Sequence, residues 1–230
     1  SGADLLDLDA FPAKEAYTVD GGEIGEIEYE NFNAASARVT IHGVNIHPGS
    51  AKNRMKNAVL LASEFISMLP PAETPAHTEG YEGFYHVSDI RGNESEAELK
   101  MLIRDHDRAS FERRRAFLMN LCEYLNGVHG AGTFDLTVTD SYYNMKEKIL
   151  PHMHLIENAA SAMRACGVTP KIVPIRGGTD GARLSFRGLP CPNLSTGGVN
   201  FHSIHEFIPV FALETMTRVL ITIAEGEFAK

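Results

Sequence analysis

Several short segments of this sequence group residue types that bind metals, anions or reacting carbonyls. In Thr18-Val19-Asp20-Gly21-Gly22 an aspartate stands at the C-terminal edge of a short strand, where open α/β sheets place ligands. The glycines beside it allow close approach to the backbone, and the carboxylate is a hard ligand for zinc or a related ion. Asp-Gly-Gly is equally an ordinary turn sequence. His202, His205 and Glu206 lie together in the loop Gly197 to Phe207. Neutral imidazole binds zinc, and a nearby carboxylate can orient the ring. The spacing is not His-Glu-x-x-His, and polar surface histidines before a helix are the other reading. His47, before Pro48-Gly49, is either a catalytic hydrogen-bond donor or a turn residue. Arg176-Gly177-Gly178-Thr179-Asp180-Gly181 suits an anion at a helix start, without phosphate-loop spacing, or a glycine turn capped by Thr179 or Asp180. Arg104, amid the charges of Asp105-His106-Asp107, reads by itself as a salt-bridged surface residue.

The elements that must position these residues follow from periodicity. Ala16–Asp20 reads as a strand, and Glu26–Phe32 as another that alternates acidic with apolar side chains. A strand is predicted over Ala37–His42, a helix over Asn53–Leu69, strands over Gly83–Ile90 and Ala97–Arg104, a helix over Ser110–Leu125 and a strand over Thr133–Thr139. That order is the split βαβ, ferredoxin-like pattern. Beyond it come a helix over His152–Cys166, a short strand over Lys171–Ile175, a buried strand over Pro190–Leu194 and a closing helix over Val210–Ala224. This alternation suggests an α/β layer with few strands of its own. The expected division is 1–33 and 142–230 for an α/β domain, with 34–141 inserted between its two parts.

Composition narrows the function classes. The 230 residues are 43% hydrophobic, enough for one large or two small cores. A formal charge of −9 repels nucleic acid and anionic lipid. The densest basic run, Arg113-Arg114-Arg115, reads as a solvated helix face. Cys122, Cys166 and Cys191 are widely spaced and odd in number, which predicts reduced thiols in a cytoplasmic setting rather than disulfides or a thiolate zinc site. No apolar run approaches the ~20 residues of a membrane span, and the N-terminus does not read as a signal peptide.

Taken together and in order, Ala16–Gly22, Glu30–Ser36, the His47-Pro48-Gly49 turn, Thr78–Tyr85, Asp140–Met145, Pro174–Ala182 and His202–Phe207 resemble the peptidase T family of zinc exopeptidases, from about residue 5 onward. The resemblance implies an α/β fold: part of a three-layer α/β/α catalytic domain that binds two zinc ions, with an inserted ferredoxin-like βαββαβ lid and dimerisation domain. It implies a zinc-dependent aminopeptidase acting on tripeptides, a homodimer formed through the lid, and no nucleic-acid or membrane partner. By position, Asp20 matches the carboxylate ligand of one zinc and His202 the histidine ligand of the other. His47 matches a lid histidine that polarises the scissile carbonyl. Arg104 and Arg176 match arginines suited to the substrate's C-terminal carboxylate.

The family's His-x-Asp motif, its bridging aspartate and its Glu-Glu pair lie upstream of Ser1, so the chain is read as the C-terminal two-thirds of such an enzyme. One protein ligand per metal falls short of the about three that a catalytic zinc needs. The chain alone is therefore expected to bind zinc weakly and to be inactive. Two other readings stand beside this one. One is a non-catalytic peptide-binding or dimerisation protein of the same fold. The other is an anion- or nucleotide-binding protein using the Arg176 loop.

Overall fold

The computed structural model describes residues 2–226. In chain order its strands and helices are β1 (Thr18–Gly21), β2 (Glu26–Glu28), β3 (Asn33–His42), α1 (Ala58–Ser67), β4 (Phe84–Gly92), β5 (Glu96–Asp105), α2 (Arg108–His129), β6 (Phe134–Tyr142), α3 (Lys146–Ile149), α4 (His154–Ala165), β7 (Lys171–Ile172), α5 (Asp180–Phe186), β8 (Asn193–Ser195) and α6 (Val210–Glu225). The chain divides into two compact units, Ser1–Phe32 with Tyr143–Lys230, and Asn33–Tyr142.

The unit Asn33–Tyr142 runs β-α-β-β-α-β. Its strands form one antiparallel sheet in the order β4-β5-β3-β6, which is the ferredoxin-like arrangement. Alternation along β5 buries Ala97, Leu99, Met101 and Ile103 on one face. Both helices pack on the sheet, α1 through Ala58, Leu61, Ala62 and Phe65, and α2 through Phe111, Leu118, Leu121, Cys122 and Leu125. Phe65 stacks on Phe134 with ring centroids 6.2 Å apart.

Several local features depart from the sequence expectation. Helix α1 begins at Ala58 rather than Asn53, because residues before it pair elsewhere. Val44 and Lys56 form an isolated antiparallel bridge, Asn53 has φ 59°, and Asn57 caps the helix by accepting from the Val59 and Leu60 amides. Gly43 permits that bridge, since a Cβ there would sit 2.2 Å from the Glu94 carbonyl oxygen. Strand β3 starts at Asn33, four residues before the predicted start, because Asn33, Ala34 and Ala35 pair with Asp105, Arg104 and Ile103 of β5. The basic run of α2 is not uniformly solvated: Arg114 turns inward, donates to Asp105 at 2.8 Å, pairs with Glu73 and lies over the Tyr85 ring.

Helix α2 is predicted from Ser110 but begins at Arg108, capped by Asp107, whose carboxylate accepts from the Ser110 amide at 2.7 Å. That bond holds the Asp107 carboxyl below its ordinary range. Asp107→Ala is expected to cost about 1 kcal/mol in urea unfolding at pH 7. A carboxyl with a depressed native pKa contributes stability above its unfolded value and loses it in acid, so the cost should shrink below about pH 4.

The other unit contains a mixed sheet in the order β1-β8-β2-β7. The β1–β8 and β2–β7 pairs are parallel and β2–β8 is antiparallel. Helices α4 and α6 pack together over Ile27 and Leu194 through Ile156, Ala159, Met163, Met216 and Val219. The strand predicted over Glu26–Phe32 is continuous only as far as Glu28, with an isolated parallel bridge from Asn31 to Ile175 beyond it, and its acidic residues are not an outward face: Glu28 and Glu30 are both buried. The Asn31 side chain donates to the Phe32 and Tyr143 carbonyls and accepts from the Met145 amide, adding to the backbone bonds that join Glu30 to Ile175 and Phe32 to Gly177. The predicted strand Lys171–Ile175 shortens to Lys171–Ile172. Val19 and Ile172 are exposed, whereas Ile175 packs against the core.

Candidate functional site

Asp20 occupies the end of β1 with its side chain exposed. Its amide donates to Asn193 Oδ1 at 3.1 Å, and Asn193 Nδ2 donates to Glu28 Oε2 at 2.5 Å. Asn193 thus fixes both a candidate ligand's backbone and a buried carboxyl. Burial pushes the Glu28 pKa up to about 7, the Asn193 hydrogen bond opposes the rise, and the negative charges of Glu26 and Asp20 add to it. Gly21 is required here, since a Cβ would lie 2.9 Å from both Glu28 Oε2 and the Leu194 carbonyl oxygen. The neighbourhood of Asp20 is therefore a close-packed, acidic strand end.

His202 lies on the loop between β8 and α6, exposed, with φ 61°. Asn200 is also left-handed at 59°. Such backbone in a non-glycine residue costs about 1–3 kcal/mol and collects at sites that need a fixed side-chain direction. The loop is held by a bridge between Val199 and Phe207 and by the His202 amide donating to Glu206 Oε2 at 2.7 Å. Glu206 accordingly serves the His202 backbone, where the sequence suggested a carboxylate that orients an imidazole.

Arg176 lies half-buried, its guanidinium over the Phe32 ring at 5.2 Å. Thr179 is the cap of α5, accepting from the Gly181 amide. In the ferredoxin-like unit, His47 is exposed and its Nδ1 accepts from the Gly49 amide at 3.2 Å, closing the 3-10 turn Pro48–Ser50. Arg104 is no surface salt bridge: its Nη1 donates to the Ala35 and Ile103 carbonyls, and its guanidinium lies over the Tyr142 ring.

Asp20, Arg176 and His202 belong to one unit, and His47 and Arg104 to the other. Within its unit the structure joins Asp20 to Glu28 and Asn193. Among the described residues, the one group of three metal-type donors converging on a common point is Glu15, His152 and His154, which includes neither Asp20 nor His202. No local sequence pattern marks Glu28, Glu15, His152 or His154 as site residues. Glu28 was hidden in a strand alternation that read as solvent-facing, and Glu15 lies 137 and 139 residues from His152 and His154 in the chain. The thiols follow expectation: all three cysteines are free, and burial pushes Cys122 and Cys191 up to about 11.

Residues 29–132 match the peptidase dimerisation domain of the M20 peptidases. Peptidase T of Halothermothrix orenii is 56% identical over 224 residues, covering 97% of this chain and 55% of that protein. The chain thus spans about half the length of the curated relatives it matches. The crystal structure of the aminopeptidase PepT from Bacillus cereus superposes with a TM-score of 0.80 at 23% identity, covering 97% of this chain and 60% of that one. A Bacillus subtilis protein described as a dinuclear metal binding peptidase of the M20 family superposes at 0.62 with 13% identity, over 90% of this chain and 54% of that one. At these identities the two structures speak for the fold alone. The sequence match extends across both units: over 97% of its length this chain is similar to peptidase T, at 53–57% identity.

Proposed function

We propose that this chain is part of a cytoplasmic tripeptide aminopeptidase that works with two zinc ions, and that it does not turn over peptide by itself. The observation that carries the reading is identity above half with peptidase T across 97% of the chain. In this reading Asp20 and His202 each contribute one ligand to a different zinc. When bound, zinc would supply Lewis acidity and an activated water. The residues present do not complete such a site. Neither Asp20 nor His202 belongs to a converging group of three donors among the described residues, and a tetrahedral catalytic zinc takes about three protein ligands. The chain's own contribution is to hold the substrate. Arg104 and Arg176 take the C-terminal carboxylate of the tripeptide, and His47 donates a hydrogen bond to the scissile carbonyl. Residues 1–33 and 142–230 form the catalytic part, and 34–141 the lid and dimerisation part.

The test is release of the N-terminal residue from a tripeptide, followed by mass spectrometry with zinc present. The chain alone should give none. Co-expression with the stretch of a peptidase T relative that this chain does not match should restore release, and Asp20→Ala or His202→Ala should abolish it again. Turnover by the chain alone would sink the inactivity claim. Failure of every complemented pair, with folding verified, would overturn the peptidase reading. A second reading, a non-catalytic dimerisation or peptide-binding chain, is favoured by the dimerisation-domain match over residues 29–132. Sedimentation of a dimer that binds tripeptide without cleaving it, even when complemented, would select it.

A further inference from the structure

We propose that Glu15, His152 and His154 form a binding site for a divalent ion of the zinc class, separate from the Asp20 and His202 positions and independent of the peptidase reading. Glu15 Oε1 lies 2.9 Å from His152 Nδ1 and 2.8 Å from His154 Nε2. Ligand atoms of all three residues lie within 4.8 Å of one another. In a tetrahedral zinc site with bonds of about 2.0–2.1 Å, neighbouring donors stand roughly 3.3 Å apart. The observed spacings therefore need only small side-chain rotations to admit the ion. Two imidazoles and one carboxylate are the donor set of zinc sites that keep an open position. Calcium and magnesium prefer all-oxygen sets, so they are disfavoured here.

The backbone brings these donors together in a way a regular helix does not. Residues two apart on an α-helix face different directions. Here His152 ends the 3-10 turn Leu150–His152 and His154 begins α4, with Met153 between them. That change of winding leaves the two rings 6.0 Å apart and both within reach of Glu15. Glu15 is itself positioned from both sides of its own segment. The next amide, Ala16, donates to the Pro190 carbonyl at 3.0 Å, and the Tyr17 hydroxyl donates to the Leu155 carbonyl at 2.7 Å. The second bond ties the segment that carries Glu15 to the first turn of α4, so the donors are held on parts of the chain that are fastened together. Such prior placement is what a metal site needs.

The site is open to solution. Glu15 and His152 are half-buried and His154 is exposed, so an ion can enter and retain water. His152 also forms part of the wall of a cavity of about 370 Å³ with Lys148, Phe186 and Pro190. The start of α4 carries the positive end of the helix dipole, which opposes a cation and favours the Glu15 carboxylate. The expected affinity is accordingly micromolar rather than nanomolar.

The experiment is calorimetric titration of zinc alone into the metal-free chain at pH 7.5, in a background carrying Asp20→Ala and His202→Ala. About one equivalent should bind in that background. Cobalt should produce the visible absorption of a four- or five-coordinate ion. Glu15→Gln, His152→Ala and His154→Ala should each weaken zinc at least about 10-fold. His154 is the exposed member, so its variant is expected to keep the native circular dichroism and melting curve, which separates lost ligation from lost folding. No zinc bound in the double-substituted background, or binding that His154→Ala leaves unchanged, would overturn the proposal. Because the Asp20 and His202 positions are already removed, neither result bears on the peptidase reading.

Discussion

Phe65→Ala is expected to lower stability by about 3–5 kcal/mol, the range for deleting a fully buried aromatic ring. Helix α1 has only ten residues and meets the sheet through Ala58, Leu61, Ala62 and Phe65. Three of these are small or slightly exposed, so the ring of Phe65, fully buried and stacked on Phe134, is its main anchor. A cavity at this point cannot collapse easily, because the sheet behind it is fixed by strand pairing on both sides of β5. For a unit of this size, with ordinary domain stabilities of about 5–15 kcal/mol, the loss removes a large share of the margin. A melting transition assigned to the ferredoxin-like unit should fall by more than about 10 °C. Phe65→Leu should cost markedly less. A shift of only a degree or two for Phe65→Ala would contradict the packing described here.

The second large effect is a pH dependence set by Glu28. Its carboxyl is buried, and its pKa is raised from an ordinary 4.5 to about 7. With the native value above the unfolded one, both states are protonated below about pH 4.5 and the full stability is present there. As pH rises the unfolded chain ionises first, and stability is lost until the native carboxyl also ionises near pH 7. At about 1.4 kcal/mol per pKa unit, reduced for residual solvent access, the loss amounts to about 2 kcal/mol. Glu28→Gln keeps an oxygen to accept from Asn193 and removes the titration. It is expected to be about 2 kcal/mol more stable than the native chain at pH 8, with the advantage vanishing near pH 4.5. Urea unfolding of both proteins at several pH values measures it. A difference that does not change with pH would show that Glu28 is not the group responsible.

The ferredoxin-like unit was legible because its elements state their own period. Along β5 every second residue is apolar from Ala97 to Ile103, and α2 carries its apolar side chains at helical spacing between Phe111 and Leu125. What local pattern could not convey is pairing at a distance. The Val44–Lys56 bridge moves the start of α1, and the Asn31 side chain takes backbone partners more than a hundred residues away. Charge was the least legible quantity. Glu28, Glu30 and Arg114 all read as solvent-facing, yet the two glutamates are buried and Arg114 is half-buried, each with a polar partner that sits elsewhere in the chain. For the candidate site, residue types marked Asp20 and His202 as metal-binding chemistry. The convergence of Glu15 with His152 and His154 depends on a change of helical winding at Met153 that no residue type announces.

The sheet of the first unit joins strands from opposite ends of the sequence, with Thr18 beside Asn193 and Glu26 beside Lys171. On a ribosome this imposes an order of events. The ferredoxin-like unit closes within a continuous stretch, Asn33–Tyr142, and can begin to collapse while the rest is still being translated. β1 and β2 must wait for β7 and β8, which emerge only after that whole unit has been made, a delay of roughly 10 s at bacterial elongation rates of about 5–20 residues per second. During that interval Val19 and Ile27 belong to strands without partners. The glutamates and glycines that interrupt this stretch then act as guards against pairing with a neighbouring nascent chain.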